Sequence, residues 1–409
     1  MLSLPLLSSR LKAPAGQRDP VLSALFLSSA ATATALGLGF TLSALYLTRV
    51  AGIPSRTVGV GLTVAGVFAI ATTFLAGRLS DRYGARAVMI GAALVQSAAL
   101  AGYCLLDGNV AAFVLLAAAL LGAQGVHGTA KVTLVAQAFS GGDRTATRAR
   151  IRVVTNVFVA AGSGLGAIVL AIGTASAYRT GLVVAALLVL GSILPLASLT
   201  MEAAAPVTPA HAPSSSAPLR DRRYLAVTAL NGVIHVQFEV LTLGLPLWVA
   251  GHTEAPEALI GGLIVLNTVV VTMLQVPATR WVTDVDRAGR TVFGATGMLA
   301  LACVLYPVAG ALGALTATAV LVAAVVVHSL GEVLSEAGGW ELAFELADPA
   351  RPGAYQGVSQ TGAAVGAALA PAVITSSALA YGLPGWLLLG GAFLAAGAGT
   401  RALSRDARP

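Results

Sequence analysis

Seven ionisable side chains stand inside long apolar runs: His127, Lys131, His235, Glu239, His328, Glu332 and Glu336. A charge in hydrocarbon is costly, so such a group is by default paired, turned to a water-filled path, or functional. Glu332 and Glu336 are four apart and share one helical face. Two carboxylates one turn apart in a low dielectric do not both ionise easily, so the pair can take up and release a proton. Glu239 is a third candidate proton carrier, and the three histidines are candidate relays. For His127 and His328 a hydrogen-bonded packing role explains the residue equally well. Glu341 and Glu345 lie closer to the end of their run and are expected on a solvated face. Asn231, Gln237, Asn267 and Gln275 have the chemistry to contact a substrate or to bridge helices. The chain has no H-E-x-x-H, no G-x-S-x-G and no G-x-x-x-x-G-K-[ST]. Enzymatic chemistry, a metal, a cofactor and ATP hydrolysis are therefore not expected. Cys104 and Cys303 sit in separate runs and read as small hydrophobes.

The elements that must hold these groups follow from composition. Of 409 residues, 57% are apolar and only 10% charged; soluble domains carry about 25% charge. Mean hydropathy is +0.85. Too few charges are present to cover a soluble core, which excludes a cytosolic enzyme, a disordered chain and a secreted disulfide scaffold. Twelve apolar runs are long enough to cross a bilayer, at roughly 21–47, 56–77, 87–106, 110–137, 153–173, 178–199, 224–250, 257–279, 291–309, 314–340, 354–377 and 382–400. Uniformly apolar runs of this length span as helices, not as barrel strands. The fold class is all-α and polytopic. Residues 1–20 carry Arg10, Lys12 and Arg18 without an A-x-A site, so the first run reads as an uncleaved span.

The net charge of +7 does not form a nucleic-acid patch, because the basic residues fall in clusters between runs. With the N-terminus inside, one side holds Arg78, Arg82 and Arg86; Arg144, Arg148, Arg150 and Arg152; Arg220, Arg222 and Arg223; Arg280, Arg287 and Arg290; Arg351; and both termini. The other side holds Arg49, Arg56 and Arg179. This asymmetry predicts two cytoplasmic termini in the plasma membrane. A Pro/Ala/Ser-rich stretch at 200–223 reads as a linker between two six-helix bundles, 1–199 and 224–409.

The halves repeat. His127 has a counterpart in His328 and Lys131 in Glu332, both 201 residues on. Gly162 and Gly166 recur 200 residues later as Gly362 and Gly366, and Asp81 has a candidate counterpart in Asp284. Duplicated units usually place the transport path at their interface. The repeat sets Lys131 facing Glu332, and an ion pair is expected there that closes one side and yields to a proton or a substrate.

Gly77-Arg78-Leu79-Ser80-Asp81-Arg82-Tyr83-Gly84-Ala85-Arg86, between runs two and three, resembles the signature loop of the major facilitator superfamily, Gly-x-x-x-Asp-Arg-x-Gly-Arg/Lys-(Arg/Lys). Ala85 departs from it. The resemblance implies two pseudo-symmetric six-helix bundles with spans one, four, seven and ten around a cavity. It also implies a conformational latch, for which Gly77, Asp81, Arg82, Gly84, Arg86 and Arg152 are the candidates. Asp81 can accept from a helix N-terminus or pair with an arginine such as Arg152. The glycines at 162–166 lack the proline of antiporter motifs, and Leu121 stands where drug:proton antiporters carry arginine. Tyr355, Gln356 and the Gly-Glu stretch before them resemble actinobacterial members, many of them exporters. The expectation is a monomeric secondary transporter whose partners are the bilayer, protons and a small molecule. Proton-coupled efflux of a hydrophobic or cationic compound leads; uptake symport and lipid translocation are alternatives.

Overall fold

The computed structural model describes residues 20–199 and 217–405. The basic residues Arg10, Lys12, Arg18 and Arg408, and linker residues 200–216, lie outside the described residues. Twelve helices are long and apolar enough to cross a membrane. They are α1 (Pro20–Val50), α2 (Ser55–Tyr83), α3 (Ala85–Tyr103), α4 (Val110–Ala138), α5 (Gly142–Ile172) and α6 (Ala175–Ala197) in the first half. The second half has α7 (Arg222–His252), α8 (Leu259–Trp281), α9 (Val285–Ala309), α10 (Ala314–Glu345), α11 (Pro352–Leu379) and α12 (Leu383–Arg405).

Each helix matches one apolar run, and five overrun it by five residues or more: α9 and α12 do so within the second half, and three others reach toward the opposite half. α5 starts at Gly142, α2 ends at Tyr83 and α10 ends at Glu345. Their extra turns are polar and face the other half of the molecule, where hydropathy does not detect them. All three lie at the end of the bundle that carries the arginine clusters, here called the arginine-rich end.

Each half has its own core. Leu42, Tyr46, Tyr103, Phe113 and Leu182 centre the first; Trp248, Leu299, Tyr306, Leu321 and Trp386 centre the second. A third cluster crosses between halves, setting Leu25, Met89, Leu134 and Ile151 against Trp340 and Phe344. The glycine repeat has a packing meaning. A Cβ on Gly162 would overlap the Thr34 carbonyl of α1, and one on Gly366 would overlap the Gly232 carbonyl of α7. The α1–α5 crossing is thus repeated as α7–α11, with backbones in contact because no side chain intervenes. α7 also contains a widened π-helical turn, Val240–Gly244, directly after Glu239. Such turns are often found at functional positions.

Candidate functional site

α5 and α10 run antiparallel across the boundary between the halves and form a ladder. Arg144, Arg148 and Arg152 are four apart and share one face of α5. At the outer rung Arg144 is 3.7 Å from Glu345. Next, Arg148 stacks over Trp340, its guanidinium carbon 4.9 Å from the ring centroid. Beside it the Thr145 hydroxyl donates to Glu341 at 2.5 Å. At the innermost rung Arg152 spreads its fork over both predicted carboxylates: one nitrogen donates to Glu332 and another to Glu336, each at 2.7 Å. Phe238 of α7 lies under the same guanidinium at 5.0 Å. Glu332 and Glu336 are 5% and 4% exposed. The Asn267 amide donates to the second oxygen of Glu332 at 3.0 Å, and His235 lies 3.6 Å from Glu336. Charge-assisted, forked contacts of this kind are among the stronger hydrogen bonds.

The loop between α2 and α3 makes the second connection. Asp81 accepts from the backbone N–H groups of Gly353 and Ala354 at 2.8 and 2.7 Å. A carboxylate there also meets the positive end of the α11 dipole. Gly77 allows this approach, since a Cβ would overlap the Gly353 carbonyl. Gly84, at φ 85°, supplies the turn into α3. Among the described residues, hydrogen bonds and ion pairs between the halves cluster at the arginine-rich end.

Asp81→Ala removes two charge-assisted bonds, worth about 1.5–3 kcal/mol each, from this joined arrangement only. Spin labels at Tyr83 and Ala350, across the boundary, are expected to report a separated population at least tenfold larger, as about 1.4 kcal/mol gives. An unchanged distance distribution would show that the Asp81 contact does not hold the halves.

Several expectations are corrected. Lys131 does not pair with Glu332: Arg152 and Asn267 already occupy that carboxylate. Arg152 belongs to the carboxylate clasp and not to the Asp81 latch. Arg82 rests on Tyr83, and Arg86 donates to the Ala197 carbonyl at the end of α6, so neither crosses between halves. Asp284 caps its own helix through the Arg287 N–H at 2.8 Å. His127 and His328 face the interiors of their own bundles, against Met89 of α3 and Tyr306 of α9 respectively. In this arrangement neither reaches the other bundle. Glu341 is 2% exposed and not solvated.

Of the polar candidates, Gln237 donates to Ser335 and Asn267 to Ser329 and Glu332, so both bridge helices. Asn231 lies against Gly339 of α10. Gln275 is fully buried, and its amide has no hydrogen-bond partner among the described residues. Glu239 is half-buried, and among the described residues it accepts only the Thr242 hydroxyl, at 3.0 Å. Arg148, Trp340, Phe238 and Thr145 were not singled out from sequence. The signal for the arginines was present: bases four apart on α5 at 144, 148 and 152, and acids on α10 in two pairs four apart, 332/336 and 341/345.

Known structures share this architecture. The human organic anion transporter MFSD10 (TETRAN) aligns with a TM-score of 0.73 at 17% identity, over 93% of this chain and 99% of that one. The transporter FucP in the outward conformation aligns at 0.73 and 14% identity, over 96% and 100%. A bacterial homologue of the iron transporter ferroportin, in the outward-facing state, aligns at 0.64 and 15%, over 94% and 98%. These likenesses establish the fold. No curated protein sequence matches the chain. The family described as Major Facilitator Superfamily matches residues 21–371. With twelve spans, two cores and breakable contacts between the halves, the chain belongs to that superfamily: it is a multi-pass membrane protein, a secondary transporter of small molecules that works by alternating access and not an enzyme.

Proposed function

We propose that the protein is a proton-driven exporter of the plasma membrane, with both termini and the arginine-rich end in the cytoplasm. The observation that carries this reading is the Arg152 clasp, one cation holding Glu332 and Glu336 across the boundary between halves. On this reading the arginine-rich end, joined in the arrangement described, is the closed cytoplasmic side. A proton arriving on either glutamate neutralises one arm of the clasp and lets the arginine-rich ends part. The site then opens inward, releases the proton and loads substrate. Glu239, in the middle of α7, has no ion-pair partner among the described residues, and it suits a lipophilic cation. The resemblance of the stretch before Gln356 to exporter sequences agrees with outward transport. One observation favours an anionic cargo instead: Lys131 and Arg148 have no carboxylate ion-pair partner among the described residues.

Flux in proteoliposomes under imposed pH gradients tests both, using a panel of lipophilic cations and organic anions. Wild-type flux is expected to follow the gradient. Glu332→Gln and Glu336→Gln each lower gradient-driven flux by about tenfold, the factor that about 1.4 kcal/mol gives, while substrate exchange without a gradient persists. If both variants keep the full pH dependence, the clasp does not couple protons to transport.

A further inference from the structure

Away from the clasp, an apolar groove of about 520 Å³ runs along the outside of the second half. α7 and α11 supply most of its lining, and Leu389 and Ala392 of α12 form the remaining wall. Its α11 side runs from Val358 to Val373, about 22 Å of helix at 1.5 Å per residue. No charged side chain lines it. Toward the arginine-rich end it finishes at Phe74 of α2 and at Leu219, in the short helix Ala217–Arg220.

That end carries positive charge. Arg78 stacks on Phe74 with its guanidinium carbon 4.7 Å from the ring centroid. Arg220 follows Leu219 in the chain and is exposed, as is Arg222. None of the three has a carboxylate ion-pair partner among the described residues. The nearby acid, Asp221, is already engaged by the Tyr224 N–H and the Tyr355 hydroxyl.

We infer that this groove is a binding site for an anionic phospholipid, one acyl chain lying along α7 and α11 and the phosphate held by Arg78 and Arg220. An acyl chain asks for no hydrogen bonds and fits an uncharged channel of membrane depth. Guanidinium groups at the interface select a headgroup with net negative charge. A lipophilic cation meets the wrong charge at this rim.

The site is built from both halves. Phe74 belongs to the first and Val358 to the second, and the Phe74 carbonyl sits where α2 crosses Gly357. The headgroup end of the groove is therefore complete only while the arginine-rich ends are joined. A ligand that binds one state better than another shifts the population toward it. The anionic lipid accordingly holds the transporter in the joined arrangement and sets how readily it opens.

The test uses full-length protein in nanodiscs of phosphatidylcholine, with or without phosphatidylglycerol. Spin labels at Tyr83 and Ala350 report the joined-to-separated ratio, and native mass spectrometry counts retained lipid. Phosphatidylglycerol is expected to raise the ratio about tenfold, as two interfacial arginines can supply, and to be retained in preference to phosphatidylcholine. Arg78→Gln with Arg220→Gln removes most of that preference. Val365→Trp fills the groove and abolishes the response; Leu369→Trp, at a site 56% exposed, does the same with less risk to folding. Equal ratios in the two lipid mixtures overturn the proposal. So does a full response in a folded Trp variant, which would reduce the effect to general surface charge. Equal retention of the two lipids overturns the headgroup assignment.

Discussion

Arg152→Gln is expected to empty the joined arrangement. Glutamine leaves Glu332 and Glu336, both nearly fully buried, without their arginine and with only the Asn267 amide and the His235 ring beside them. Removing one partner of a buried pair costs about 3–5 kcal/mol, and here two carboxylates are orphaned. The joined-to-separated ratio, read by distance measurements across the arginine-rich end, should fall by more than about a hundredfold. The same change should collapse gradient-driven flux. Two further variants separate the clasp from a general loss of structure. Arg152→Lys keeps the charge, but its single ammonium cannot fork to two carboxylates, so it should restore only part of the ratio. Combining Arg152→Gln with Glu332→Gln and Glu336→Gln removes the uncompensated charges and should bring the joined state back while leaving transport blind to pH. If the triple variant stays as separated as Arg152→Gln, the ionic account is wrong.

Gly77→Val should trap the transporter by the opposite means, steric and not electrostatic. A Cβ at position 77 would overlap the carbonyl of Gly353 and press on the Cα of Gly357. These are backbone atoms and cannot rotate aside, so α2 and α11 must part. The clash exists only where the two halves meet. Melting temperature should stay within a few degrees of wild type, while turnover falls to background and Tyr83–Ala350 distances report the separated arrangement alone. Gly357→Val attacks the same crossing from α11, where a Cβ would stand 3.0 Å from the Phe74 carbonyl, and should reproduce the result. It should also erase the response to phosphatidylglycerol, because Phe74 leaves the groove. A Gly77→Val protein that still transports would show that this crossing never closes in the working cycle.

Both experiments turn on contacts that were only half legible. That Glu332 and Glu336 form one buried acidic face followed from their spacing in an apolar run. Their partner did not. The repeat offset pointed to Lys131, yet equivalent positions in two pseudo-symmetric bundles need not meet. Arg152, on a helix that hydropathy began eleven residues late, reaches both carboxylates. The polar turn of α5 is shielded by the opposite half and not by lipid, so its residues read as a loop in one dimension. His127 and His328 illustrate the same point: the offset paired them in sequence, yet each lies within its own bundle, against Met89 and Tyr306. The Asp81 loop was the reverse case. Its glycines announced a close approach, while its acid left open a helix terminus or an arginine such as Arg152, and the fold decides for the terminus at Gly353.

The sequence by itself determined what is local. The number of spans comes from runs of apolar residues, the duplication from glycine and histidine offsets, and the family loop from residue types at adjacent positions. Each is set by the cost of exposing backbone or charge to hydrocarbon, a property any segment carries alone. Tertiary structure decided which charges meet, which histidines turn inward, and that α2, α7, α11 and α12 leave a groove with an arginine rim. Those outcomes depend on the rotation of each helix about its axis and on the fit between two bundles. Such a fit is a property of surfaces assembled from residues far apart in the chain, and no single stretch of it encodes the arrangement.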